Sequence, residues 1–71
     1  MQFFIDVILP IPLVKLFTYE VNQEEARFLK PGMRVAVPFG KSKIYTALVH
    51  SVHQTAPEVY EAKEIHQILD E

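Results

Sequence analysis

The run Pro38-Phe39-Gly40-Lys41 contains the residue types that most readily contact a nucleotide. Gly40 has no Cβ, so another backbone or a nucleotide can approach it closely. The ring of Phe39 offers a face on which a base stacks, and Lys41 offers a positive charge to a phosphate. The same run is also typical of a hairpin turn, in which glycine supplies a positive φ and phenylalanine joins the core. Both interpretations place it at the end of a strand.

Basic residues are concentrated in the middle of the chain. Between Arg27 and Pro57 there are five basic residues and no acidic one, whereas all nine carboxylates lie outside this segment. The segment can therefore attract phosphate, although the formal net charge of the whole chain is −2. Solvated surface lysines are the simpler alternative, so charge alone does not identify a nucleic-acid-binding protein.

Patterns for catalysis or metal binding are weak. His50 and His53 are three residues apart, which points them to opposite faces of a strand, and the chain has no cysteine. We therefore expect no metal site. Paired carboxylates such as Glu24 and Glu25 lie in polar stretches, where nothing raises a carboxyl pKa toward neutrality. Two glycines do not make a phosphate-binding loop, so we expect a binding module and not an enzyme.

The elements that must position these residues are short strands. Alternation and β-branched residues predict strands at 3–9, 17–21, 33–39 and 44–52. The last segment, 59–69, fits both patterns, because Val59, Ala62, His66 and Leu69 have helical spacing whereas residues 63–69 alternate. The family resemblance described below favours a strand at about 63–69. Asn22 can cap one short helical stretch, which ends before Pro31-Gly32. Five to six short strands with short connections predict an all-β fold. We expect a small, mostly antiparallel β-barrel of OB-like or translation-protein-like type.

The length of 71 residues allows one domain, residues 1–71. The apolar N-terminus has no preceding basic region, and Asp6, Pro10 and Pro12 interrupt it, so it does not read as a signal peptide. No apolar run approaches the roughly 18 residues of a membrane-spanning helix. We expect a soluble, cytoplasmic domain that belongs to a longer protein and has no membrane partner.

Three segments taken in order resemble a known family. They are LPIPL at 9–13 with FTY at 17–19, KPGMRVAVPFGK at 30–41, and AKEIHQILD at 62–70. Together they resemble the N-terminus of the primosomal protein N′ (PriA) family, the replication-restart helicases of bacteria. The resemblance covers essentially the whole chain, and the pattern GxRVxVPFGK is its most specific part.

This resemblance implies an N-terminal β-barrel that binds the 3′ end of the nascent leading strand at a stalled replication fork. The family's pocket for the 3′-terminal nucleotide implies four site residues here: Phe17, Thr18, Gly40 and Lys63. The family has an aspartate where this chain has Thr18, so a neutral oxygen would accept the proton of the terminal 3′-hydroxyl. Weaker candidates for holding the DNA backbone are Arg34, Lys41 and Lys43.

The resemblance also implies the partners. They are DNA, helicase domains of the same chain and other primosome proteins, in a bacterial cytoplasm near the nucleoid. ATP and zinc are expected only in the rest of the full-length protein, and this domain is expected to need no cofactor. Two alternatives remain open: a β-barrel for protein interaction or oligomerisation, and a general single-stranded DNA binder without preference for an end.

Overall fold

A single five-stranded sheet with one short helix makes up residues 1–70, which the computed structural model describes. The elements are β1 (Phe3–Ile8), β2 (Phe17–Val21), α1 (Gln23–Phe28), β3 (Arg34–Phe39), β4 (Lys43–His53) and β5 (Gln67–Ile68). The strand order is β2-β1-β4-β3-β5, and every pair of neighbouring strands is antiparallel. The predicted all-β, mostly antiparallel fold is therefore confirmed, but the sheet does not close into the predicted barrel, because β2 and β5 lie at its two ends and do not pair with each other.

The core lies on one face of this sheet. Ile5 and Val7 of β1 and Val35 and Val37 of β3 have no exposed surface, because alternate residues of a strand point to the same face. Buried residues that complete the core are Leu9, Tyr19, Val21, Leu29, Ala47 and Val49. Asp6 lies between Ile5 and Val7 and therefore points to the opposite face.

Local signals fix the helix and the turn that follows it. Asn22 caps α1: its side chain accepts from the Glu25 amide, and the Glu25 side chain accepts from the Asn22 amide, both at 2.8 Å. After α1, the amide of Met33 donates to the carbonyl of Lys30 at 3.1 Å, and Gly32 adopts φ +93°. Both the cap and the glycine turn were predicted and are confirmed. Within the described residues, no helix is long and apolar enough to span a bilayer.

The C-terminal segment was predicted as one strand, and this prediction is wrong in part. Only Gln67–Ile68 pair with β3 as a strand. Just before them, the chain runs along the outer edge of β2, where the amide of Glu20 donates to the carbonyl of Lys63 at 2.8 Å. The amide of Ile65 donates back to the carbonyl of Glu20 at 3.3 Å. The segment therefore crosses from β2 to β3, and the sheet is joined across this side without a continuous ladder.

A gap remains where the ladder is missing. It lies between Phe17–Tyr19 of β2 and Pro38–Gly40 at the end of β3, and we call it the seam. β5 pairs with β3 only at Val35 and Ala36, and Pro38 has no amide hydrogen with which to extend that pairing. The carbonyl of Pro38 instead accepts from the Tyr19 hydroxyl at 2.7 Å. A side chain, and not a strand, thus spans the seam.

Candidate nucleic-acid interface

A cavity of about 350 Å³ lies in the seam. Its walls come from three parts of the chain: Lys15 with Phe17–Tyr19, Pro38–Gly40, and Tyr60, Glu61 and Lys63. Its volume falls within the range of roughly 300–1,000 Å³ that is typical of ligand pockets. Phe17, Thr18, Gly40 and Lys63, which are far apart in the sequence, all line this one cavity.

Aromatic rings form the apolar side of the cavity. The rings of Phe17 and Phe39 meet edge to face, with centroids 5.3 Å apart, and Phe39 also packs against Tyr45 at 5.8 Å. This packing holds the Phe17 ring in place. The Nζ atom of Lys15 lies 5.0 Å from the centroid of Phe17, a cation–π contact. The cavity thus combines an immobilised ring with a positive charge above it.

Thr18 contacts other residues on two sides. Its hydroxyl donates to Oδ1 of Asp6 at 2.6 Å, across the β1–β2 pair. Its amide, on the outer edge of β2, donates to the hydroxyl of Tyr60 at 3.0 Å. This second bond places the Tyr60 side chain at the cavity wall, although Tyr60 lies outside regular secondary structure.

Gly40 and Lys63 face each other across the seam. Gly40 has φ +70°, a conformation that favours glycine, and a Cβ added there would meet no atom within 4 Å. The glycine is therefore required by the turn, and the space beside it is open. Lys63 is placed by the backbone bond to Glu20, and its Nζ atom donates to the carbonyl of Gly40 at 3.4 Å. The turn interpretation and the close-approach interpretation of Gly40 are thus compatible.

Comparison with known families decides the assignment of the chain. The family model of the PriA 3′ DNA-binding domain (3′BD) matches residues 6–71. The chain belongs to the PriA 3′BD family. Neither a search of curated proteins nor a search of solved structures gave a significant match. The 3′BD assignment makes this domain a DNA-binding module.

The weaker candidates of this 3′BD lie outside the cavity wall. Arg34, at the opposite end of β3 from Gly40, donates to Oδ1 of Asp70 from Nε at 3.0 Å and from Nη2 at 2.8 Å. These bonds, together with one from the Arg34 amide, lower the pKa of Asp70 below its usual value. Lys41 and Lys43 follow Gly40 in the turn and at the start of β4, and both are exposed. Their contact with DNA stays a prediction.

Three residues of the 3′BD cavity were not predicted from the sequence. Lys15 lies two residues before Phe17, so the period of a strand could have indicated it. Tyr60 and Glu61 follow a polar, proline-containing loop and carry no local signal that places them beside Thr18. Glu61 is the carboxylate among the residues of the cavity wall, which also includes the amines of Lys15 and Lys63.

Metal-ligating side chains are not grouped within residues 1–70. In the part of the chain that the structure describes, no three His, Cys, Asp or Glu side chains lie close enough to hold a metal ion. His53 instead hydrogen-bonds Asp6, with Nε2 2.8 Å from Oδ1. The chemistry available at the cavity is that of rings, amines, hydroxyls, the Glu61 carboxylate and backbone groups.

Proposed function

We propose that the seam cavity binds the 3′-terminal nucleotide of a DNA strand. The observation that carries the proposal is that Phe17, Thr18, Gly40 and Lys63 line one hollow. The family match to a 3′ DNA-binding domain supports the same assignment. We further propose that the strand is the nascent leading strand at a stalled replication fork.

Each wall residue has a role that its chemistry suits. The ring of Phe17, held edge-on by Phe39, offers an apolar face to the terminal sugar or base. The amines of Lys63 and Lys15 neutralise the adjoining phosphate as point charges. Gly40 lets the strand approach the backbone, since no side chain fills the open space beside it. The oxygen of Thr18 accepts the proton of the 3′-hydroxyl.

A terminal ribose differs from an internal one in its free 3′-hydroxyl. An internal nucleotide carries an ester at that oxygen, which has no proton to donate and needs room for a further phosphate. An acceptor oxygen beside the hydroxyl therefore identifies the end of the strand. One nucleotide and two or three phosphate contacts make for modest, salt-dependent affinity.

The proposed setting is the replication-restart helicase of a bacterium. In that setting the 3′BD positions a helicase motor, which uses ATP and lies elsewhere in the same chain, at the end of the new strand. DNA, those helicase domains and other primosome proteins are the proposed partners. The proposed location is the bacterial cytoplasm at the nucleoid.

The deciding experiment is fluorescence anisotropy on short 5′-labelled single strands that differ only at the 3′ end. We expect strands with a free 3′-hydroxyl to bind more tightly than the same strands with a 3′-phosphate, because the phosphate removes the donor and adds bulk and charge. Raising the salt concentration should weaken the binding of both strands. Equal affinities for the two ends would leave a general single-strand binder.

A second candidate is protein interaction through the outer face of the sheet. Ile8 of β1 lies opposite Leu48 of β4, and both side chains are exposed, as is Ile44 further along β4. Exposed neighbouring apolar residues are a feature of interaction surfaces. Size-exclusion chromatography with and without single-stranded DNA separates the candidates: self-association that DNA does not change favours the protein-interaction function.

A further inference from the structure

Thr18 donates the proton of its hydroxyl to a charged partner inside the protein. Its Oγ1 lies 2.6 Å from Oδ1 of Asp6, the residue opposite it on β1. Such a distance is typical of a hydroxyl that donates to an ionised carboxylate. Because a hydroxyl has one proton, the Thr18 oxygen can act toward a ligand only as an acceptor.

Asp6 is held as an anion by a second donor. The Nδ1 atom of His53 accepts from the amide of Thr55 at 3.1 Å, so the ring proton is on Nε2 and is donated to Oδ1 of Asp6 at 2.8 Å. Partial burial alone would raise the pKa of Asp6, but the bonds from Thr18 and His53 outweigh it and lower that pKa. Asp6 itself does not line the seam cavity.

We propose that Asp6 and Thr18 form a hydrogen-bond relay that reads the 3′-hydroxyl of the terminal nucleotide. The inference rests on the proposed function and adds a positioning residue, Asp6, which contacts the Thr18 hydroxyl but does not itself line the cavity. A hydroxyl that donates to a carboxylate has a more electron-rich oxygen and is a better acceptor, because hydrogen bonds in a chain polarise one another. Through the relay, the charge of Asp6 makes Thr18 a stronger acceptor for the 3′-hydroxyl, as a carboxylate at position 18 would be, but to a smaller extent.

Thr18, Asp6 and His53 form one hydrogen-bonded row, in which both donors contact Oδ1 of Asp6. Glu61 is the competing acceptor, because it is the carboxylate of the cavity wall. The two assignments differ in which substitution removes the preference for a free end.

The test uses three 5′-labelled strands ending in a 3′-hydroxyl, a 3′-deoxy sugar or a 3′-phosphate. We expect Thr18→Val to weaken binding of the hydroxyl strand about three- to tenfold and to leave the 3′-deoxy strand unchanged. Asp6→Asn keeps an acceptor for Thr18 but removes the charge, so its loss should be smaller and again confined to the hydroxyl strand. The double variant should lose no more than Thr18→Val alone, because the two residues act in series.

A rescue variant separates the relay from a merely structural role. In the Asp6→Asn background, Thr18→Asp returns a carboxylate to the cavity side, and the preference for the hydroxyl strand should recover. Glu61→Gln tests the competing acceptor, and the relay predicts that this variant keeps the preference; Asp70→Asn, outside the cavity wall, is the matched control. Loss of the preference in Glu61→Gln, or its full retention in Asp6→Asn, would overturn the relay while leaving 3′-end binding intact. A wild-type domain that binds all three strands equally would overturn the proposed function together with the relay.

Discussion

The centre of the sheet and its seam are held together in different ways. In the centre, β4 pairs with β3 along a continuous ladder and with β1 along a ladder that has one register shift between Asp6 and Val7, and Ile5, Val7 and Val35 are fully buried. Across the seam, the Tyr19 hydroxyl reaches the carbonyl of Pro38, and the Tyr60 hydroxyl accepts from β2. Substitutions in the centre should therefore change the free energy of unfolding, and substitutions in the seam should change DNA affinity.

The largest expected effect is in the centre. Ile5→Ala removes three carbon atoms from a fully buried site and should lower the free energy of unfolding by about 2–5 kcal/mol. Urea denaturation measures it. Ile5→Val, with an expected loss of about 0.5–1.5 kcal/mol, covers the case in which the alanine variant does not fold. The DNA affinity of the folded valine variant should match that of the wild type. A large loss of DNA affinity would show that the centre of the sheet also contributes to DNA binding.

In the seam, we expect Lys63→Ala to change DNA affinity and to leave the free energy of unfolding nearly unchanged. Removing this amine should weaken binding of both 3′-hydroxyl and 3′-phosphate strands by about five- to tenfold. The slope of the logarithm of the binding constant against the logarithm of the salt concentration should fall in magnitude by about one, which corresponds to one lost phosphate contact. The free energy of unfolding should change little, because the side chain is exposed. Lys30→Ala, an exposed lysine outside the cavity wall, is the control. Unchanged binding by Lys63→Ala would assign this residue to structure alone.

The two glycines form a natural matched pair. Gly32 and Gly40 both have positive φ, +93° and +70°, and a Cβ would meet no atom within 4 Å at either position. Alanine at either site should lower the free energy of unfolding by about 1 kcal/mol, since the backbone conformation is unfavourable for it. Only Gly40→Ala should also weaken DNA binding, because Gly40 lines the seam cavity and Gly32 does not. Equal DNA affinity of the two variants would argue against close approach at Gly40.

The smallest expected effect is a pH dependence of stability. The pKa of Asp6 is lowered in the folded state, so its contribution is present above the ordinary value of 3.8 and is lost as the pH falls through the folded value. Asp6→Asn should therefore be less stable than the wild type at pH 7, and the difference should narrow in acid. Urea denaturation at several pH values measures this.

Asp70→Asn provides the matched control for that measurement. The pKa of Asp70 is also lowered, through its bonds with Arg34, so the same direction of pH dependence is expected. Only the change at Asp6 should alter the preference for a 3′-hydroxyl end. A change of end preference in Asp70→Asn would contradict this prediction, because it would show that the far end of β3 also affects 3′-end recognition.

Local patterns in the sequence predicted most of the fold. Alternation predicted β2 at Phe17–Val21, Asn22 predicted the start of the helix, and Gly32 predicted the turn. These three features could be predicted because each is determined by residues that are close together in the sequence. The last segment was predicted as one strand mainly from the family resemblance, because its own spacing fits a helix as well as a strand, and neither pattern shows whether it pairs with β2 or with β3. Its crossing from one to the other depends on contacts between distant residues, which alternation does not encode.

The site was predicted less evenly. Phe17, Thr18, Gly40 and Lys63 came from the family resemblance, and no spacing in the chain brings them together. The partner of Thr18 was missed: Asp6 read only as a polar interruption of a buried strand. Tyr60 was missed because its position depends on a hydrogen bond to a strand edge more than forty residues earlier.

That bond also covers part of the outer edge of β2. An exposed outer strand offers a row of free amides and carbonyls on which a strand from another molecule can add. On β2 the Tyr60 hydroxyl accepts from the Thr18 amide, and the backbone around Lys63 and Ile65 pairs with Glu20. The wall of the cavity is therefore at the same time a cover against intermolecular strand addition. Variants that detach it should aggregate faster even where they still fold.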